Sequence, residues 1–66
     1  MSIAKTIEIT ASSKKSFDDA ISSGIAKAAQ TLKGISGAWI ADQEVEIANG
    51  KVTSYIVRMR VTFVVK

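Results

Sequence analysis

Cysteine, proline and histidine are all missing from this 66-residue chain. Without cysteine, neither a disulfide framework nor a thiolate metal site can staple the fold. Without histidine, the usual general base, the Ser–His and Cys–His nucleophile pairs and any imidazole metal site are excluded. Catalysis would have to come from six carboxylates, seven lysines and two arginines, so the composition points away from an enzyme. Long apolar runs are missing too: none approaches the ~18 residues of a membrane span. The start of the chain, Met1–Thr10, carries Lys5 and Glu8 within a short apolar alternation, unlike a signal peptide. The net charge is +3, but the basic residues are dispersed. Only Lys14–Lys15 and the Arg58/Arg60 pair stand close together, too little for a nucleic-acid stripe. A cytoplasmic protein with neither a nucleic-acid nor a membrane partner is expected.

What is present belongs to a folded chain: 47% hydrophobic and 23% charged residues exclude disorder and low complexity. The length allows one domain, residues 1–66. Domains below ~70–80 residues rarely draw enough stability from one core and lean on disulfides, metals or partner subunits. Oligomerisation is the route left open.

Ile3, Ile7 and Ile9 share one parity and Thr6, Glu8 and Thr10 the other, a half-buried strand interrupted by Lys5. Ala11–Lys15 reads as a loop. Phe17, Ala20, Ile21, Gly24, Ile25, Ala28, Ala29 and Leu32 then form one apolar stripe at helical spacing. Ser16 fits the N-cap with Asp19 as a capping-box partner, and Gly34 supplies a left-handed C-cap, giving a helix over about 17–33. Gly24 inside it costs ~1 kcal/mol against Ala and suits close packing. Gly37–Ala48 reads as a second strand and Val52–Val65 as a third, joined by Asn49-Gly50, the strongest two-residue hairpin signal. The order β-α-β-β makes an α+β domain, a three-stranded antiparallel sheet wrapped around one helix.

The turn fixes a register. If Ala48 faces Lys51, then Ala38 faces Val61, Ile40 faces Met59 and Asp42 faces Val57 on the helix side. On the other face Trp39 opposes Arg60, Ala41 opposes Arg58, Gln43 opposes Ile56 and Ile47 opposes Val52. One helix covers one face of a sheet, so this second face is expected to serve assembly, a ligand, or both.

The chain resembles a dodecin. The similar residues are Lys5-Thr6-Ile7-Glu8-Ile9, Ser12-Ser13, Ser16-Phe17-Asp18-Asp19-Ala20, Ala26-Lys27-Ala28 and Thr31-Leu32. In the hairpin they are Asp42-Gln43-Glu44-Val45-Glu46-Ile47, Gly50-Lys51-Val52, Tyr55 and Val61-Thr62-Phe63. The resemblance implies a hollow homododecamer that stores or sequesters flavin (riboflavin, FMN or FAD), bound in pairs at sites shared between subunits, without catalysis. In that family a Trp early in the second strand stacks on the flavin ring, and a Gln after the third-strand Tyr hydrogen-bonds it. The matching positions here are Gly37 and Ile56, and both motif residues are absent.

Candidate ligand-binding residues are therefore Gly37, Trp39, Gln43, Ile56, Arg58 and Arg60. Trp39 could stack a planar ligand, with Arg58 or Arg60 supplying charge for a phosphate. The preferred alternative buries Trp39 between subunits under Arg60 as a cation–π pair. Gln43 could replace the missing amide, or simply bond backbone or water. Asp42, Glu44 and Glu46 alternate, and oxygen ligands at that spacing suit Ca²⁺ or Mg²⁺ if a neighbouring subunit adds more. Solvation or pairing with Lys and Arg is the preferred use. Two functions stay open: a flavin-binding shell, or a dodecin-like assembly that binds cations or acts as a scaffold.

Overall fold

The structure is a computed structural model and describes residues 3–65; residues 1, 2 and 66 of the expected 1–66 domain lie outside them. Its elements are β1 (Ile3–Ser13), α1 (Phe17–Ala28), β2 (Ile35–Ala48) and β3 (Lys51–Val65). All strand pairs are antiparallel in the order β1-β3-β2. No helix among the described residues is long and apolar enough to cross a membrane.

β1 runs on to Ser13 where a loop was expected, because Ala11 continues the alternation and pairs with Val57. The odd residues Ile9 and Ala11 turn to the helix, while Thr6, Glu8, Thr10 and Ser12 line the other face opposite Thr62, Arg60, Arg58 and Ile56. Ser16 caps the helix as expected, its hydroxyl accepting from the Asp19 N–H at 2.9 Å. The Asp19 carboxylate does not reach back as in a capping box; it accepts from the Ser13 hydroxyl at 2.6 Å, tying the end of β1 to the first helical turn.

The helix stops at Ala28 rather than Lys33. Beyond it, the Gln30 and Thr31 N–H groups donate to the carbonyls of Lys27 and Ala28, a tightening that turns the chain back toward the sheet. Gly34 adopts a positive φ of 78°, not as a cap but to enter β2, where its carbonyl accepts from the Val64 N–H at 2.9 Å. A side chain there would stand 2.8 Å from the Val64 carbonyl oxygen, so only glycine fits both the dihedral and the approach.

The core is Ala20 against Val57, Met59 and Val61, all fully buried, with Phe17, Ile21, Ile25, Ile9, Ala11, Ile35 and Ile40 packed around them. Phe17 meets Tyr55 edge to face at 5.1 Å. Gly24 lets the helix seat closely, since a Cβ there would lie 2.8 Å from the Ala11 Cβ and 3.1 Å from the Met59 Cε.

The hairpin turns at Asn49 and Gly50, both with positive φ, and Ala48 faces Lys51. The expected pairs Ala38–Val61, Trp39–Arg60, Ile40–Met59 and Ile47–Val52 are all present. Between them the register slips by one residue. Asp42 lies opposite Arg58, Gln43 opposite Val57, Glu44 opposite Ile56 and Glu46 opposite Ser54, with Ala41 left over in β2 and Thr53 in β3. These two bulges compensate. Without them, Asp42, Glu44 and Glu46 would face the helix side, against fully buried Val57, where an unpaired carboxylate is costly. With them, Val45 faces Tyr55 instead. Four expectations are thereby corrected: Asp42 is not opposite Val57, Ala41 is not opposite Arg58, Gln43 is not on the face of Ile56, and Ile47 and Val52 are not on the face of Trp39. Ile47, one residue beyond Glu46 in an unbroken stretch of β2, shares the face of Val45, and its partner Val52 goes with it.

Candidate functional site

The sheet face turned away from the helix is built from the even residues of β1, the even residues of β3 from Ser54 onward, and Gly37, Trp39, Asp42, Glu44 and Glu46 of β2. Its apolar feature is Trp39, 67% exposed at a position where the helix cannot reach. Strand pairing sets Trp39 beside Arg60, whose guanidinium carbon lies 5.4 Å from the ring centroid, a cation–π contact. The Arg60 Nε also stands 4.0 Å from Glu8 Oε2.

Arg58, the next cation along β3, is held by two carboxylates. Its Nη1 donates to Asp42 Oδ1 at 3.0 Å and its Nη2 to Glu44 Oε1 at 2.9 Å. The Glu44 hydrogen bond, then that of Asp42, holds its proton still more firmly than an ordinary guanidinium. The Ala41 bulge creates this arrangement by bringing Asp42 opposite Arg58. Two of the three candidate metal-ligating carboxylates are thus engaged in an ion pair within the chain. Among the described residues, no three His, Cys, Asp or Glu side chains converge as a metal site would need.

Of the candidate ligand residues, Gly37, Trp39, Ile56, Arg58 and Arg60 share this face, and Gln43 lies on the other. Gly37 is opposite Thr62, and Ile56 is six residues from Thr62 along β3, ~20 Å at strand rise. That exceeds the reach of one three-ring ligand, so positions 37 and 56 can meet around one molecule only if they come from different copies. Trp39, opposite Arg60, is four residues from Ile56, ~13 Å. Glu8 was missed as a member of this face. Its parity with Thr6 and Thr10 marked it as polar, but no tight turn fixes the β1–β3 register from sequence. An open groove between β1 and α1, lined by Ile9, Ala11, Ser23, Gly24, Lys27 and Ala28, lies at the opposite edge of the sheet from Trp39.

A sequence model of the dodecin family matches residues 3–66. The chain belongs to the dodecin family. No curated protein gives a significant sequence match. Among solved structures, the dodecin of Streptomyces davaonensis superposes with a TM-score of 0.94 at 25% identity, over 98% of this chain and 96% of that one. A variant of the Thermus thermophilus dodecin gives 0.94 at 23% identity, over 100% and 98%. The dodecin of Streptomyces coelicolor gives 0.94 at 20%, over 98% and 93%.

For a dodecin, the fit to a flavin ring turns on three positions. Trp39 offers an exposed aromatic on the face turned away from the helix. Gly37 leaves open space where the family carries its stacking Trp: a Cβ there would meet nothing within 4 Å. Ile56, half-buried, presents no hydrogen-bond donor where the family's Gln would. The residues present fit the stacking of a planar ring and not the side-chain recognition of its polar edge.

Proposed function

We propose that this dodecin assembles as a homododecamer and binds flavin on its Trp39 face, as a storing or sequestering protein in the cytoplasm and not as an enzyme. The observation that carries the reading is Trp39 itself, a large aromatic left exposed on an uncovered sheet face, with Arg60 across its ring. Flavin, when bound, would supply the planar ring; Trp39 would stack on it. Arg60 would hold the indole in place, and neighbouring copies would close the ring off from water.

Assembly is supported by the shape of the single chain. Its radius of gyration is 13.6 Å and its long axis 52 Å, where a compact chain of this length has a radius of ~11 Å. It exposes 4841 Å² against ~4,000 Å² for a compact monomer of its mass. The excess, on the order of 800 Å², is about one partner's share of a standard interface. At the hairpin end Ile47 and Val52 are 65% and 47% exposed, apolar surface without a partner inside the chain.

A second reading, an assembly that serves as a scaffold without flavin, is favoured by Gly37 and Ile56 at the two matched positions. Sedimentation of the purified protein with added riboflavin separates the two. The flavin reading expects an assembly of twelve 7.0 kDa chains with yellow absorbance travelling in its boundary. A colourless dodecamer would favour the scaffold, and a stable folded monomer at micromolar concentration would defeat both.

A further inference from the structure

We infer that copies of the chain join head to tail: the hairpin end of one, carrying Ile47 and Val52, seats in the groove between β1 and α1 of the next. This rests on the assembly proposed above and adds to it which two surfaces meet. The first observation is an overhang. β1 ends at Ser13 opposite Tyr55, and Phe17 at the start of α1 meets the ring of the same Tyr55. Beyond that point β2 and β3 run on alone, through Glu46–Ala48 and Lys51–Ser54, ~13 Å at strand rise. A two-stranded ribbon with neither a third strand nor a covering helix is marginal in water. On its helix-side face this one also leaves Ile47 and Val52 exposed.

The second observation is the groove at the other edge of the sheet. Ile9 and Ala11 line it from β1, Gly24 and Ala28 from α1, and Ser23 and Lys27 add polar groups, an apolar centre with a polar rim as in protein interfaces. Its volume of ≈ 510 Å³ is about three times the ~150 Å³ that takes a benzene ring, room for the side chains of Ile47 and Val52 together. β1 pairs with β3 alone and without a bulge. Its outer edge is therefore a regular row of backbone donors and acceptors, the kind of edge that proteins keep covered. The outer edge of β2 is instead broken by the bulge at Ala41.

Two arguments make the occupant a second copy. The chain cannot fill its own groove, because Ala11 lies opposite Val57, five residues from Val52 and so ~17 Å along β3. The exposed surface exceeds that of a compact monomer by on the order of 800 Å², which one standard contact with another copy accounts for. The hairpin end and the groove are different surfaces, so the contact is heterologous. Each copy gives its hairpin to one neighbour and receives that of another, and such contacts close into a ring.

The absence of cysteine makes the test clean. Val52→Cys and Ser23→Cys, both at exposed positions, are made singly and together. The assembled protein is treated with a short bifunctional thiol-reactive linker and run on a denaturing gel, with sedimentation alongside to follow assembly. The double variant is expected to give a covalent ladder that passes the dimer, and each single variant to stay free of cross-links. The two single variants refolded together are expected to give dimers and nothing larger. Ile47→Cys with Lys27→Cys is a second pair on the same two surfaces, with the same expectation, should the first disturb assembly. Dimers from Val52→Cys alone would overturn the inference, since two hairpin ends would then meet symmetrically. Assembled double variants without any cross-link would also overturn it and leave the assembly standing. A stable monomer of the unmodified protein would remove the assembly and the inference together.

Discussion

Replacing Gly24 by Ala sets two known effects against each other at a position whose surroundings are defined. Within a helix, Ala is favoured over Gly by ~1 kcal/mol, so an exposed helical glycine would be stabilised by the change. Gly24 is not exposed in that sense. The new methyl would stand 2.8 Å from the Ala11 Cβ and 3.1 Å from the Met59 Cε. The Met59 terminus can swing, but it sits in a fully buried core with few free directions. The Ala11 Cβ cannot swing at all, since it is fixed to a strand residue paired with Val57. Relief must come from lifting the helix off β1, which loosens Ala20, Ile21 and Ile25 together. Overpacking of this kind costs ~1–3 kcal/mol. The balance is a destabilisation of up to about 2 kcal/mol, after the ~1 kcal/mol propensity gain is subtracted. For a domain of this size each kcal/mol moves the melting temperature by ~4–8 °C. Thermal melts followed by circular dichroism, at one protein concentration because an assembly's melting point depends on it, should show Gly24→Ala melting several degrees lower. A melting point raised by the variant would refute the close seating of the helix on Ala11.

Ile56→Gln puts a donor on the face of Trp39 and should tighten flavin binding by about two- to tenfold, the worth of one net hydrogen bond; unchanged affinity would place the ring away from position 56. Val52→Lys puts a charge into the apolar hairpin end and should shift the sedimentation profile to smaller species; full retention of the assembly would show that this end stays in solvent. With Asp42 and Glu44 paired to Arg58, neither chelator nor added Ca²⁺ or Mg²⁺ should move the melting point. A rise with Ca²⁺, abolished in Glu44→Gln, would establish a cation site on this strand.

Much of the fold could be read from periodicity. The helix stripe, the Ser16 cap and the Asn49-Gly50 turn all follow from side-chain spacing and local turn chemistry. The placement of Trp39 against Arg60 follows from the turn alone, by counting outward. The counting fails between Thr53 and Ala41, because a bulge is invisible to it, and comes right at Trp39 only because the two bulges cancel. Yet the signal was in the chain: Ala38 and Ile40, which face the helix side, sit on even positions, whereas Val45 and Ile47 sit on odd ones. A parity switch inside one strand needs an extra residue between. Missing that switch put Gln43 on the face of Trp39 and Asp42 against the core. The helix end was overestimated for a different reason: Ala29 and Leu32 keep the apolar spacing, but the chain must already turn so that the Gly34 carbonyl can meet Val64. The Glu8–Arg60 neighbourhood depends on how β1 docks on β3, a contact between distant segments with no local signal. Whether positions 37 and 56 meet depends on other copies, and a single chain's pattern does not encode their placement.

The most direct test of the account is flavin binding to the Trp39→Ala variant beside the unmodified protein, followed by quenching of riboflavin fluorescence at matched assembly state. Stacking on an aromatic is worth ~1–3 kcal/mol, so binding should weaken by about five- to 150-fold, while the sedimentation profile shows the shell intact. Riboflavin bound equally tightly by protein lacking the indole would contradict the account and place the site on another face.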